Sequence, residues 1–419
     1  MRFTKIYCLL ALSLFSLFSL KAQDDYLLKA DRVFDGFESH ADWVVAVKGN
    51  KITYAGASYK GKATETITLK GKTLLPGLIE GHSHILLHPY NEVSWNDQVL
   101  RESVAERSAR AVNHLRASLM AGITTMRDLG SEGAGYADIG LKQAVEKGVV
   151  PGPRLLVAGK AIVATGSYGP KGFHEGVEVP LGAETADGFD DLIRVTRDQI
   201  GHGADFIKVY ADYRWGPNGT AEATFTVAEL KTIVEIAESS GRYVVAHASS
   251  QEGMRRAIEA GVETIEHGDD ATLEIFNLMK VKGIALCPTV AAGDAITQYG
   301  GWKKGIDPTP ARILAKQENF KMALASGVKI VFGGDVGVFT HGDNVRELEL
   351  MVEYGMNTKA ALISATSANA AQFHLNTLGQ LKEGFLADII AVEGDPSKEI
   401  SALRKVGLVM KDGKIYKKD

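Results

Sequence analysis

The sequence predicts an α/β protein: a (β/α)8 (TIM) barrel over residues 74–376 that carries a small β-sandwich built from residues 23–73 and 377–419. Three observations lead there. Through the middle of the chain, helical stretches ending in Gly are each followed by an apolar run: "LMAGITTMRD", "EKGVVPGPRLLVAG", "GHGADFIKVY", "SGRYVVAHA", "EAGVETIEHG", "VKGIALCPTV" and "ASGVKIVFGGD". With the opening "LLPGLIEGHSH" these make eight β-then-α units, spread over about 300 residues. Both ends instead alternate apolar and polar residues with turn signals between, as half-buried strands do. No Gly-rich phosphate fingerprint follows the first barrel strand, which argues against a doubly wound open sheet.

The elements follow in chain order. Arg2 and Lys5 precede an apolar run from Ile6 to Leu20, and small Ala22 stands before polar Gln23 and Asp24. This pattern predicts a secretory signal peptide over residues 1–22. The run is short for a membrane span, and Cys8 lies inside it rather than at its end, which disfavours a lipid anchor. Cleavage removes Arg2, Lys5 and Lys21, taking the formal charge from −4 to −7. Cys287 is then the only cysteine left, so no intrachain disulfide is expected. These features predict an exported protein, most simply periplasmic, with no membrane contact after cleavage. The 419-residue chain has 45% hydrophobic and 23% charged residues and no charge run, so no nucleic-acid partner is expected.

Next, "DWVVAVKGNKITYAG" reads as two strands joined at Gly49-Asn50, and "FLADIIAV" with "VGLVMKDGKIYKKD" mirrors it, turning at Asp412-Gly413. In the first long helix Val104, Ala111, Val112, Leu115 and Leu119 share a face. Thr226 with Glu229 predicts a capping box for the helix carrying Leu230, Ile233, Val234 and Ala237. Gly after each helix suits the left-handed position there.

In a barrel of this kind the active site lies at the C-terminal ends of the strands. Strand one ends in His82 and His84, which point to one face because strand side chains alternate. Strand two ends in Arg127-Asp128. Strand four holds Lys208 inside an apolar run, strand five gives His247, strand six His267 and strand eight Asp335. Each alone has an ordinary explanation: a satisfied polar core histidine, a helix cap at Asp335, a snorkelling lysine. Four histidines, a lysine and an aspartate at one end of five strands exceed what packing requires and point to a cationic metal centre.

In these residues the chain resembles the amidohydrolase superfamily, of the binuclear type. "PGLIEGHSH", "FIKVY", "VVAHA", "TIEHG" and "FGGD" match its pattern in order, and "GFLADIIAVEGDP" is similar to its closing segment. The likeness covers roughly residues 25–419 and is strongest to the imidazolonepropionase-like and Xaa-Pro dipeptidase branch. It implies two divalent metal ions, zinc best matching imidazole and oxygen donors. His82, His84 and Asp335 would hold one ion and His247 and His267 the other. Burial should make the Lys208 amine neutral, able to add carbon dioxide and bridge both ions as a carbamate. A metal-bridging hydroxide would attack an amide carbonyl, with Asp335 shuttling the proton to the leaving nitrogen.

The expected activity is cleavage of a C–N amide bond in a dipeptide, an Xaa-Pro-type substrate or an N-acyl amino acid. A cyclic amide or lactone on the same centre, and a non-catalytic metal-binding barrel, are the alternatives. The dipeptidases of this branch often carry Gly-Gly-His-Gly after strand three, where this chain has Gly166-Ser167-Tyr168-Gly169, so specificity is open. Tyr168, Lys171, His174, Tyr210, Arg214 and His341 are the candidate substrate contacts, with Lys171 or Arg214 suited to a carboxylate. His88 has no evident role, and His114 is expected on the surface. Barrels of this type are often homo-oligomers.

Overall fold

A computed structural model of the protein describes residues 23–419. The signal-peptide expectation for residues 1–22 lies outside the described residues. Among the described residues no helix is long and apolar enough to cross a membrane.

Eight parallel segments form the barrel. Strand one (Leu78–Ser83), strand two (Ile123–Asp128) and strand three (Arg154–Val157) pair in that order. Strand four (Ile207–Tyr210), strand five (Val244–Ala248), strand six (Thr264–His267) and strand seven (Ala285–Cys287) form a second run. The Asp205 N–H donates to the Val157 carbonyl at 2.8 Å and joins the two runs.

Strand eight differs from its expected form. Residues 330–336 occupy its place but make only isolated bridges, Leu286 with Ile330 and Ser83 with Val336. They still close the ring: Val331 N–H donates to Leu286 O at 2.9 Å, and Gly81 N–H to Phe332 O at 3.0 Å. The irregularity comes from Gly333-Gly334 and from Asp335, whose φ is 63°. A Cβ on Gly333 would stand 2.5 Å from Cys287 Sγ and 2.7 Å from His82 N, so no other residue fits between strands one and seven.

The helices form as patterned. Val104–Met120 buries Ala111, Leu115 and Leu119, but Val104 in its first turn is exposed. Thr226 and Glu229 make the reciprocal capping box. Gly203, Gly261, Gly283 and Gly327 end their helices in the left-handed region. Both chain ends meet in one eight-stranded sheet, where Ala63–Pro76 pairs with Asp24–Phe34 on one side and Ile389–Glu393 on the other. Its two limbs share an apolar core, Leu28, Val45 and Ile67 from one and Ile389, Leu408 and Met410 from the other.

Candidate active site

The ends of strands one, four, five, six and eight converge. The His82 and His84 ring centroids are 5.5 Å apart, His82 and His267 5.2 Å, and His247 and His267 4.4 Å. Asp335 Oδ1 lies 3.6 Å from His82 Nε2 and 3.4 Å from His84 Nε2. Donor atoms of these three residues all lie within 4.8 Å of one another. Lys208 is buried below, its Nζ 5.3 Å from the Tyr210 ring centre.

Burial lowers the Lys208 pKa, against the pull of the Glu266, Asp335 and Glu132 charges. Burial also holds His82, His247 and His267 well below the ordinary imidazole range, and the Lys208 charge adds to this in each case. The Asp335 carboxyl is pushed up to about 6 by burial, with His84 and Lys208 opposing.

Hydrogen bonds orient the rings. His84 Nδ1 lies 3.0 Å from the Gly130 carbonyl, which only accepts, so Nδ1 carries the proton and Nε2 keeps its lone pair. His82 Nδ1 meets the Glu266 carboxylate at 2.8 Å, and His267 Nδ1 meets Thr289 Oγ1 at 2.8 Å. The carboxylate keeps the proton on His82 Nδ1 and leaves its Nε2 lone pair to the cavity, while the Thr289 hydroxyl orients the His267 ring. Glu266 is itself fixed by Arg127 at 3.1 Å. Asp335 Oδ1 is buried with no hydrogen-bond partner. A desolvated, unpartnered carboxylate oxygen beside two imidazole lone pairs costs free energy unless a cation sits among them. The donor set therefore fits a metal ion at His82, His84 and Asp335.

Strain gathers at the same place. His267 (φ 75°), Asp335 (φ 63°), Glu132 (φ 48°) and Thr289 (φ 47°) all occupy the left-handed region, at roughly 1–2 kcal/mol each. The packing around them supports the distortion. Glu347, buried, accepts the N–H groups of Val290 and Ala291 at 3.0 and 2.6 Å and so fixes the turn at Thr289. Lys316 Nζ donates to the His267 carbonyl at 2.7 Å.

A cavity of about 660 Å³ opens above, lined by His82, His84, His247, His267 and Asp335. Of the expected substrate contacts, Tyr168, Tyr210 and Arg214 line it. Three do not. The Lys171 ammonium turns to the Arg214 carbonyl at 3.3 Å, on an exposed loop. His174 is exposed and bonds its own loop at Gly176. His341 is buried behind the wall, its Nε2 3.1 Å from the Leu87 carbonyl. His114 is half-buried rather than on the surface, stacked on His341 with centroids 4.2 Å apart. His88 lies between Glu92 and Glu102, 2.9 Å from each, in an ion-pair cluster away from the cavity.

Sequence reasoning missed Glu132, Glu266 and Glu80. Glu80 accepts the N–H groups of His82 and Gly334 and the Asn344 amide, tying strand one to strand eight. Glu80 and Glu266 sit inside strands, where a charge in an apolar run was the available signal, as at Lys208. Glu132 is in a Gly-rich loop, where a carboxylate is unremarkable.

The sequence profile described as Amidohydrolase family matches residues 73–416. Ochratoxinase from Aspergillus niger is 30% identical over 373 residues, covering 82% of this chain and 75% of that protein. Among solved structures, a Xaa-Pro dipeptidase with methionine bound in its active site superposes with a TM-score of 0.84 at 31% identity, over 94% of this chain and 99% of that one. The A. niger ochratoxinase structure superposes at 0.81 and 27% identity, over 95% and 97%.

Proposed function

Because the chain belongs to the Amidohydrolase family, we propose that it is a metal-dependent hydrolase of a C–N amide bond in a dipeptide, an Xaa-Pro-type substrate or an N-acyl amino acid. The observation that carries this reading is the convergence of the His82 and His84 Nε2 lone pairs and an unpartnered Asp335 oxygen, with the His267 ring beside them, at the floor of a closed-barrel cavity. The relatives named above, an ochratoxinase and a Xaa-Pro dipeptidase, agree with it.

His82, His84 and Asp335 would hold one divalent ion and His247 and His267 a second, with zinc the best match to the donors. Lys208 would join them as a carbamate: its neutral amine bonds to the carbon of CO2 and releases one proton, leaving two oxygens that share a single negative charge. Bound ions would supply Lewis-acid polarisation and a water of lowered pKa. The chain does the rest. Asp335 accepts the proton of the attacking water and delivers it to the departing nitrogen. Glu266, through His82, and Gly130, through His84, hold the imidazoles in the tautomer that leaves Nε2 free. Tyr168, Tyr210 and Arg214 contact the substrate at the wall, and Arg214 suits a carboxylate.

The test is a screen of the metal-loaded mature enzyme against dipeptides, N-acyl amino acids and lactones. Chelator-sensitive release of an amino acid from members of the first two classes is expected. No turnover, or turnover of lactones alone, overturns the proposal. Export stays within it, resting on residues 1–22. N-terminal sequencing of the secreted protein should begin at Gln23.

A further inference from the structure

The amide-hydrolase reading leaves open whether the group beyond the cleaved bond is charged. We infer that the cavity lobe built on Glu132 binds a substrate ammonium, so that the enzyme prefers dipeptides with a free amino terminus to N-acylated amino acids. The inference rests on that reading for its substrate class, but the lobe can be probed without turnover.

Glu132 follows strand two, is 2% exposed and lines the cavity. Its Oε2 accepts from Trp95 Nε1 at 2.8 Å and from the Tyr168 hydroxyl at 2.7 Å. Its Oε1 has only a 3.4 Å contact to the Tyr210 hydroxyl and a 3.8 Å approach to His84 Nδ1. Arg107, the nearby cation, donates to the Glu132 backbone carbonyl at 2.7 Å and not to the carboxylate. Among the described residues no lysine or arginine forms an ion pair with it. With two neutral donors on Oε2 and only one long contact on Oε1, the Glu132 carboxylate has acceptor capacity to spare.

An anionic oxygen walled by aromatic rings suits a cation, which gains both the charge-assisted hydrogen bond and the ring faces. Placement agrees. One imidazole, His84, separates Glu132 Oε1 from Asp335 Oδ1, at 3.8 Å and 3.4 Å on its two sides. An α-ammonium there lies close to the carbonyl carbon of its own residue. The acyl part of an N-acyl amino acid has no amine at that place and would leave the carboxylate desolvated without a cation beside it.

The probes are L-leucinol and its deaminated counterpart isohexanol, which contain no amide bond. Calorimetric titration of the metal-loaded enzyme should show leucinol binding about tenfold tighter. In Glu132→Gln the gap should shrink to about twofold, the loss expected when a charge-assisted bond becomes a neutral one. On the unmodified enzyme, leucinol affinity should fall as pH rises through the pKa of its own amine while isohexanol stays flat. This arm needs no variant to fold. Equal affinities, no leucinol binding, or a gap that survives in Glu132→Gln overturns the inference. Amide turnover with equal probe affinities sinks the inference alone, whereas the leucinol preference with no amide turnover sinks the proposed function alone.

Discussion

Asp335 does two things at once: it lends an oxygen to the metal cluster and carries the reaction's proton. Replacement by Asn keeps the size and removes the basicity, so kcat should fall by about 10²–10⁴-fold while much of the metal, measured by atomic emission, remains. Near-normal rates would remove Asp335 from the proton path. Lys208→Ala should lose metal and activity together, since among the described residues no other buried amine stands at the five strand ends, and unchanged metal content would end its bridging role. Glu266 touches no substrate but fixes the His82 tautomer. Glu266→Gln should weaken metal affinity by about 10–100-fold, read by competition with a chromophoric chelator. Lys208 and the histidines stood out in the sequence because polar residues interrupted apolar strands. Glu132 did not, because a loop carboxylate has no local signal and its burial comes from Trp95 and Tyr168, distant in the chain.

Among the elements, the eighth strand matters most. Its residues 330–336 give up a regular ladder so that Asp335 turns toward His82 and His84. The close approach of Gly333 to Cys287 Sγ and His82 N makes that path possible. Gly333→Ala should cost about 1–3 kcal/mol of stability by overpacking and should also lower metal content, because the strain pushes directly on strand one. Thermal melts of the metal-free protein and metal assay separate the two effects. A variant with wild-type melting and metal would show that the contact relaxes freely. The apolar run predicted this strand; its irregularity was hidden, since a glycine pair reads equally as a turn. The hairpin turns at Gly49-Asn50 and Asp412-Gly413 and the Thr226 capping box were legible outright, being local geometry written in adjacent residues.

For the molecule as a whole, several buried carboxyls are pushed up: Asp212 and Asp335 to about 6, Glu80 to about 7 and Glu347 to about 8, chiefly by burial. The unfolded chain ionises these groups near pH 4–5, whereas the folded chain holds their protons longer. Through these carboxyls the folded state binds more protons, but His82, His247 and His267, held low by burial, oppose this below about pH 6.5; above that, stability of the metal-free protein should fall as pH rises to about 8. Each group contributes a slope of up to about 1.4 kcal/mol per pH unit within its window. Urea unfolding at several pH values measures this. Glu347→Gln should flatten the dependence up to about pH 8, and an unchanged slope would remove Glu347 as a contributor.

The sequence by itself determined the alternation of helix and strand, the glycine stops, the joining of both ends in a sheet and the six polar residues at strand ends. These rest on periodicity and on residue types within a few positions of one another. Only the tertiary structure decided which lone pairs are free, which loop residues reach the cavity and where unpaired charge collects. Tyr168 faces the cavity while Lys171 and His174, a few residues on, do not. Those outcomes depend on contacts between segments far apart in the chain, whose geometry and desolvation no local pattern encodes.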